Sequence, residues 1–95
     1  MNVYIIGSVT KSEAAIKTAV EHFEKMGNDV RYVKKEDKNH FRLILDCFLY
    51  IESWADIVVV VPKSIIPVLD IGDGTKYEMA HARSFGKPVL IYYDV

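Results

Sequence analysis

Apolar positions in this chain follow two alternating patterns, short β-branched runs and longer stretches at helical spacing. Residues 3–6 form a short apolar run closed by Gly7 and Ser8, which predicts a buried first strand. Ile16, Ala19, Val20, Phe23 and Met26 keep helical spacing and predict a helix over 10–26. Thr10 would cap its start, and Gly27 and Asn28 would stop it. Residues 30–33 alternate apolar and polar, as an edge strand does. After a mixed-charge loop at 34–39 comes a second helix over 40–54. Residues 57–61 are β-branched throughout and end at Pro62, the pattern of a central strand buried on both faces. A connector follows over 63–69, then a helix over 75–85 stopped by Gly86, then a last strand over 88–92.

Strand–helix alternation of this kind predicts one α/β domain spanning 1–95, a small doubly wound parallel sheet of flavodoxin or Rossmann type. The expected strand order is 2-1-3-4 with helices on both faces. Ligands of such sheets bind outside the C-terminal strand ends, where the order reverses. The loops after the first and third strands meet there.

The second helix is apolar on two sides. Phe41, Ile44, Leu45, Phe48 and Ile51 form one stripe, and Leu43, Cys47, Tyr50 and Trp54 another. One stripe covers a sheet; the other asks for a partner, so a homodimer through the helix at 40–54 is expected.

Composition narrows the chemistry. With 12 basic and 13 acidic residues interspersed, the chain lacks the basic face that a nucleic-acid polymer requires. A mononucleotide needs only one or two donors. No apolar run approaches the ~18 residues of a membrane span, and the N-terminus reads as a strand rather than a signal peptide, so a cytoplasmic location is expected. The lone Cys47 has no disulfide partner and no neighbour at metal-ligand spacing; it reads as a buried, inert thiol. Nothing calls for a cofactor or a metal. His22 and His81 read as structural residues.

Candidate chemistry gathers in the stretch over 70–82. Gly72 and Gly74 would let the backbone turn tightly and approach a ligand. Thr75 reads as a helix N-cap, which puts Glu78 at the third helical position, where the macrodipole favours a carboxylate. The same spacing is also a capping box, in which Glu78 would only bond back to the N-cap amide. Thr10 and Glu13 repeat that spacing at the first helix. Asp70 and Asp73 add acidic groups nearby. Asp46 interrupts the apolar second helix, either at its polar rim or at a cleft.

Five motifs in order resemble a known family: Val3-Tyr4-x-x-Gly7-Ser8, Asp46, Ala55-Asp56, Gly74-Thr75-x-x-Glu78 and Gly86-Lys87-Pro88-Val89. Together they are similar to the nucleoside 2-deoxyribosyltransferases and to their hydrolytic relatives, the 2'-deoxynucleoside 5'-phosphate N-hydrolases. The resemblance implies cleavage of an N-glycosidic bond, with transfer of the sugar to another base or to water. It makes Glu78 the nucleophile at C1', Tyr4 the group that positions it, and Asp46 a holder of sugar hydroxyls that assists protonation of the leaving base. Gly7, Ser8 and Thr10 would hold a 5'-hydroxyl or 5'-phosphate at the first helix N-terminus. Asp70, Asp73 and Gly74 would bind sugar or base, in a division the sequence leaves open. Two other readings stand beside this one. The Gly-Thr-x-x-Glu element also resembles phosphoribohydrolases of the cytokinin-activating type, whose longer Pro-Gly-Gly run is absent here. A non-catalytic nucleotide-binding module on the same fold is the other, favoured by a C-terminus that follows directly on the last strand.

Overall fold

The computed structural model describes residues 1–7, 13–32, 40–64 and 69–93, with the side chains at 40–44 left aside. Four strands, β1 (Asn2–Gly7), β2 (Asp29–Tyr32), β3 (Ile57–Val61) and β4 (Val89–Ile91), alternate with three helices, α1 (Glu13–Lys25), α2 (His40–Ser53) and α3 (Asp73–Ser84). All strand pairs are parallel, in the order β2-β1-β3-β4. The expected topology therefore holds, and the order reverses between β1 and β3. The N-terminal cap expected at Thr10 lies outside the described residues.

Period-two alternation sends the two halves of each central strand to opposite faces. Tyr4, Ile6, Val58 and Val60 pack against Cys47 and Ile51 of α2 and Met79 and Ala82 of α3. Val3, Ile5, Val59 and Val61 pack against Ile16 and Ala19 of α1 on the other face. This explains why β3 reads as one unbroken apolar run: each face of the sheet is covered.

Helix ends follow the glycines. Gly27 and Gly86 have φ of 87° and 70°, and the amides of Asn28 and Lys87 reach back to the carbonyls of Phe23 and Ala82. That closure satisfies carbonyls the helix leaves open.

The start of β1 is tied down by polar contacts. Asp56 Oδ2 accepts from the Asn2 amide at 2.8 Å, and Asn2 Nδ2 donates to the Trp54 carbonyl at 3.0 Å. Asn2→Ala loses the second of these bonds and is expected to cost about 1 kcal/mol, read from the urea midpoint. An unchanged midpoint would show that water replaces the contact at no cost.

Three expectations need correction. First, α3 starts at Asp73, with Gly72 as its N-cap and no side chain capping the end. Thr75 is thus inside the helix, and Glu78 lies in its second turn rather than at the third position. Second, Gly72 has φ −63° and ψ 153°, and Gly74 is not among the glycines with positive φ, so neither supplies a left-handed turn. Third, the two stripes assigned to α2 cut across its real faces. Cys47 and Ile51, from different stripes, point inward together, while Leu45 and Leu49 are exposed.

Candidate active site

Glu78 projects from α3 on the face that carries Thr75, Met79 and Ala82, all buried. It sets a carboxyl among these buried side chains and is only 7% exposed. Nothing in the helical pattern needs a carboxylate at this point, and burying one is costly. Its Oε2 is buried and has no hydrogen-bond partner among the described residues. With no side-chain cap at α3, the capping-box reading of Glu78 fails.

Two further elements converge on the carboxyl. Tyr4 reaches in from the middle of β1 and Cys47 from α2, both 2% exposed. The Tyr4 hydroxyl donates to Cys47 Sγ at 3.2 Å. Cys47 and Glu78 also lie close enough to influence each other's ionisation, so the three groups form a buried cluster. The Tyr4 hydroxyl thus donates to the thiol and not to the Glu78 carboxyl that the resemblance has it position.

Burial dominates the electrostatics. Removal from water raises the Glu78 pKa from 4.5 to about 7, and the nearby Cys47 thiol pulls it back only in part. The helix dipole was expected to favour ionisation here; one turn deeper, desolvation outweighs it. Burial first, then the nearby Glu78 charge, pushes the Cys47 thiol up to about 12. Tyr4 is driven above the ordinary phenol range mainly by burial, so it stays a hydrogen-bond donor.

Asp46 is half-buried next to Cys47 on α2, and its charge adds to the rise at Cys47. Gly7 ends β1 opposite Val61, at the point where the strand order reverses. Gly74 lies in the first turn of α3. Asp70 is exposed and exchanges backbone bonds with the loop after β3, its carbonyl accepting from Lys63 and its amide donating to Ser64, each at 2.8 Å. Asp73 opens α3, with an exposed side chain 4.0 Å from Lys76 Nζ. Ser8 and Thr10 lie outside the described residues. The structure therefore groups Glu78 and Tyr4, leaves Asp46 next to Cys47 on α2, and sets Asp70 and Asp73 at the surface.

Sequence reasoning passed over three neighbours. Cys47 accepts from the Tyr4 hydroxyl and lies near Glu78. Tyr50 stacks on Tyr4, with centroids 5.4 Å apart and rings 14° from parallel. The Arg31 guanidinium lies 5.5 Å from the Tyr50 centroid and 4.8 Å from that of Trp54. Tyr4, Val30, Arg31, Tyr32 and Tyr50 line a cleft of about 350 Å³ at this flank. The signal was present, because Cys47, Tyr50 and Trp54 share a helical stripe, but that stripe was assigned to a partner subunit. His81 packs as a structural residue, stacked on Phe48 at 4.2 Å. Glu52 Oε1 comes within 2.7 Å of its Nε2, out of line for a hydrogen bond.

Among the described residues, no helix is long and apolar enough to cross a membrane. No protein-family model matches the chain, and no curated protein matches it in sequence. A solved structure does resemble it: the CMP N-glycosidase BcmB of Clostridium botulinum. The two share 18% identity at a TM-score of 0.65, over 96% of this chain and 70% of the other. At that identity the likeness is one of fold, and it joins this four-stranded α/β sheet to the architecture of a nucleotide glycosidase.

Proposed function

We propose that this protein cleaves the N-glycosidic bond of a nucleoside or its 5'-monophosphate, with Glu78 as the nucleophile. The observation that carries the reading is the Glu78 carboxyl itself, buried beside Tyr4 and Cys47 with one oxygen unpartnered. A fold shared with a CMP N-glycosidase and the order of motifs in the sequence support the same chemistry.

In the first step a Glu78 oxygen bonds to C1' as the C1'–N bond breaks, and the bonding pair leaves with the base. Positive charge develops on the sugar ring in between, and a carboxylate held against C1' stabilises it. Asp46, on the neighbouring helix, is the group proposed to hold the sugar hydroxyls and to pass a proton to the departing base. In the second step water, or another base, attacks C1' and releases the carboxylate. Dividing one hard displacement into two easier ones is the gain from the covalent intermediate. The substrates proposed are 2'-deoxynucleosides and their 5'-monophosphates, with CMP as the ribosyl comparison.

Base release from each of these, followed by chromatography with and without a second base, tests the proposal. Release by the wild-type protein supports it; binding without release or exchange would favour a nucleotide-binding module. Acidity gives a second test. Attack requires the ionised carboxylate, and Glu78 ionises near pH 7. The value of kcat/KM is expected to climb about tenfold per pH unit up to about pH 7, then level off. A limb near 4.5 would instead belong to a carboxylate in water.

A further inference from the structure

The cleft beside β2 has no part in the reaction above, yet it holds a fixed guanidinium. β2 is an edge strand, and Arg31 stands in register with Tyr4, so both side chains rise toward α2. Tyr50 covers Tyr4, and Trp54, one turn further along α2, meets Tyr50 edge-on with centroids 6.4 Å apart. The Arg31 guanidinium rests against these two α2 rings, which holds in place a side chain at an exposed position. Stacking engages the flat face of a guanidinium and leaves the N–H groups in its plane for an acceptor. Among the described residues, the Tyr50 hydroxyl alone comes near them, 3.5 Å from Nη1, at the outer limit of a hydrogen bond. No carboxylate among the described residues pairs with Arg31.

Charge decides which side of Arg31 takes a ligand. Two cavities meet at this residue. The one of about 360 Å³ that reaches Trp54 also carries Glu24 and Asp29, which repel an anion. The other, of about 350 Å³, is walled by Tyr4, Tyr32, Tyr50 and Val30 and has no carboxylate in its lining. That volume is at the small end for a ligand pocket, enough for one planar ring with an oxyanion attached. We propose that this cleft binds a small aromatic oxyanion, its phosphate or carboxylate held by the Arg31 guanidinium and its ring laid against the tyrosine walls. A guanidinium forks to two oxygens of such a group, and phenol rings stack on a flat ligand. The cleft is separate from Glu78: α3 packs on β1, β3 and β4, while the cleft opens beside β2. Tyr4 belongs to both places, its hydroxyl donating to Cys47 and its ring stacked under Tyr50. Binding in the cleft does not depend on Glu78 acting as a nucleophile.

Phenyl phosphate and benzoate are the probes, because neither has a glycosidic bond to break. Phenol and inorganic phosphate supply the ring and the anion alone. Binding is measured by calorimetry and by the fluorescence of Trp54, the lone tryptophan. Phenyl phosphate or benzoate should bind saturably and at least about tenfold tighter than phenol or inorganic phosphate, and Arg31→Ala should remove that advantage. The tighter of the two probes tells a phosphorylated ligand from a carboxylate. Absence of saturable binding, binding no tighter than that of phenol or inorganic phosphate, or undiminished binding by a folded Arg31→Ala overturns the proposal. Should Arg31→Ala not fold, nitrogen-15 NMR of the wild-type protein decides. Shifts should then centre on the Arg31 side chain and the Trp54 indole, and shifts centred elsewhere overturn it. Failure of the glycosidase reading looks different: base release from nucleosides and their monophosphates would be absent while Arg31→Ala still loses the probes.

Discussion

Glu78→Gln is expected to slow base release by roughly 10³-fold or more, while making the protein harder to unfold above pH 7. The two effects share a cause. The isosteric amide keeps the shape of the site but cannot form the glycosyl ester, so covalent catalysis ends. In the folded protein the carboxyl ionises near pH 7 instead of 4.5, because it is buried. The folded state therefore holds the proton more tightly than the unfolded chain does. Its stabilising contribution is full below pH 4.5 and is lost as pH rises through about 7. By pH 8 the loss is on the order of 3 kcal/mol. A glutamine escapes it, less whatever its own buried amide costs, so a net gain of about 1–3 kcal/mol is expected. Urea midpoints at pH 5 and pH 8 check the sign: the variant should gain over wild type at pH 8 and show little gain at pH 5. A variant that keeps its activity would assign Glu78 a purely structural role.

Gly7→Val should cost on the order of 3 kcal/mol or more, among the largest losses any exposed or half-buried position here can show. A Cβ at Gly7 would stand 2.7 Å from the Val61 carbonyl oxygen and 3.4 Å from Ile16 Cδ1. The first of these is backbone of the neighbouring strand and cannot swing aside. β1 and β3 would have to part at their C-terminal ends, where the strand order reverses. Gly72→Ala is the control. There a Cβ meets only the Lys63 side-chain end, at 3.3 Å from Cε, and the backbone is ordinary. Its unfolding midpoint should move little, within about 0.5 kcal/mol. Equal effects at the two glycines would contradict the strand-contact explanation.

These two glycines also show where sequence is a sufficient guide and where it is not. The run Ile57–Val61 is legible because a strand covered on both faces needs apolar side chains throughout. Gly27 and Gly86 are legible because each takes a left-handed φ that glycine adopts freely. Gly72 was misread because a glycine can also stand where its freedom is unused. The start of α3 was misplaced for a related reason: Thr75 and Glu78 have the spacing of a capping box, while the true N-cap, Gly72, has no side chain to announce it. Glu78 was singled out by the Gly-Thr-x-x-Glu motif and the family resemblance, which do not depend on where the helix begins; its burial on the inner face of α3 was not foreseen. Its pKa was not foreseen, because that depends on how much of α2 and β1 closes over it. Cys47 was hidden by its chemistry: an apolar-helix thiol is read as filler until its hydroxyl and carboxyl neighbours, 43 residues before it and 31 after, are brought together by the fold.

The central claim is a bond between a Glu78 oxygen and a sugar carbon, and the intact protein can be weighed for it. Mass spectrometry after a rapid acid quench with a 2'-deoxynucleoside 5'-monophosphate should show one added sugar-phosphate mass, mapped by proteolysis to the peptide containing Glu78 and absent from Glu78→Gln. Base release accompanied by an adduct on another residue, or by full activity in Glu78→Gln, would contradict it.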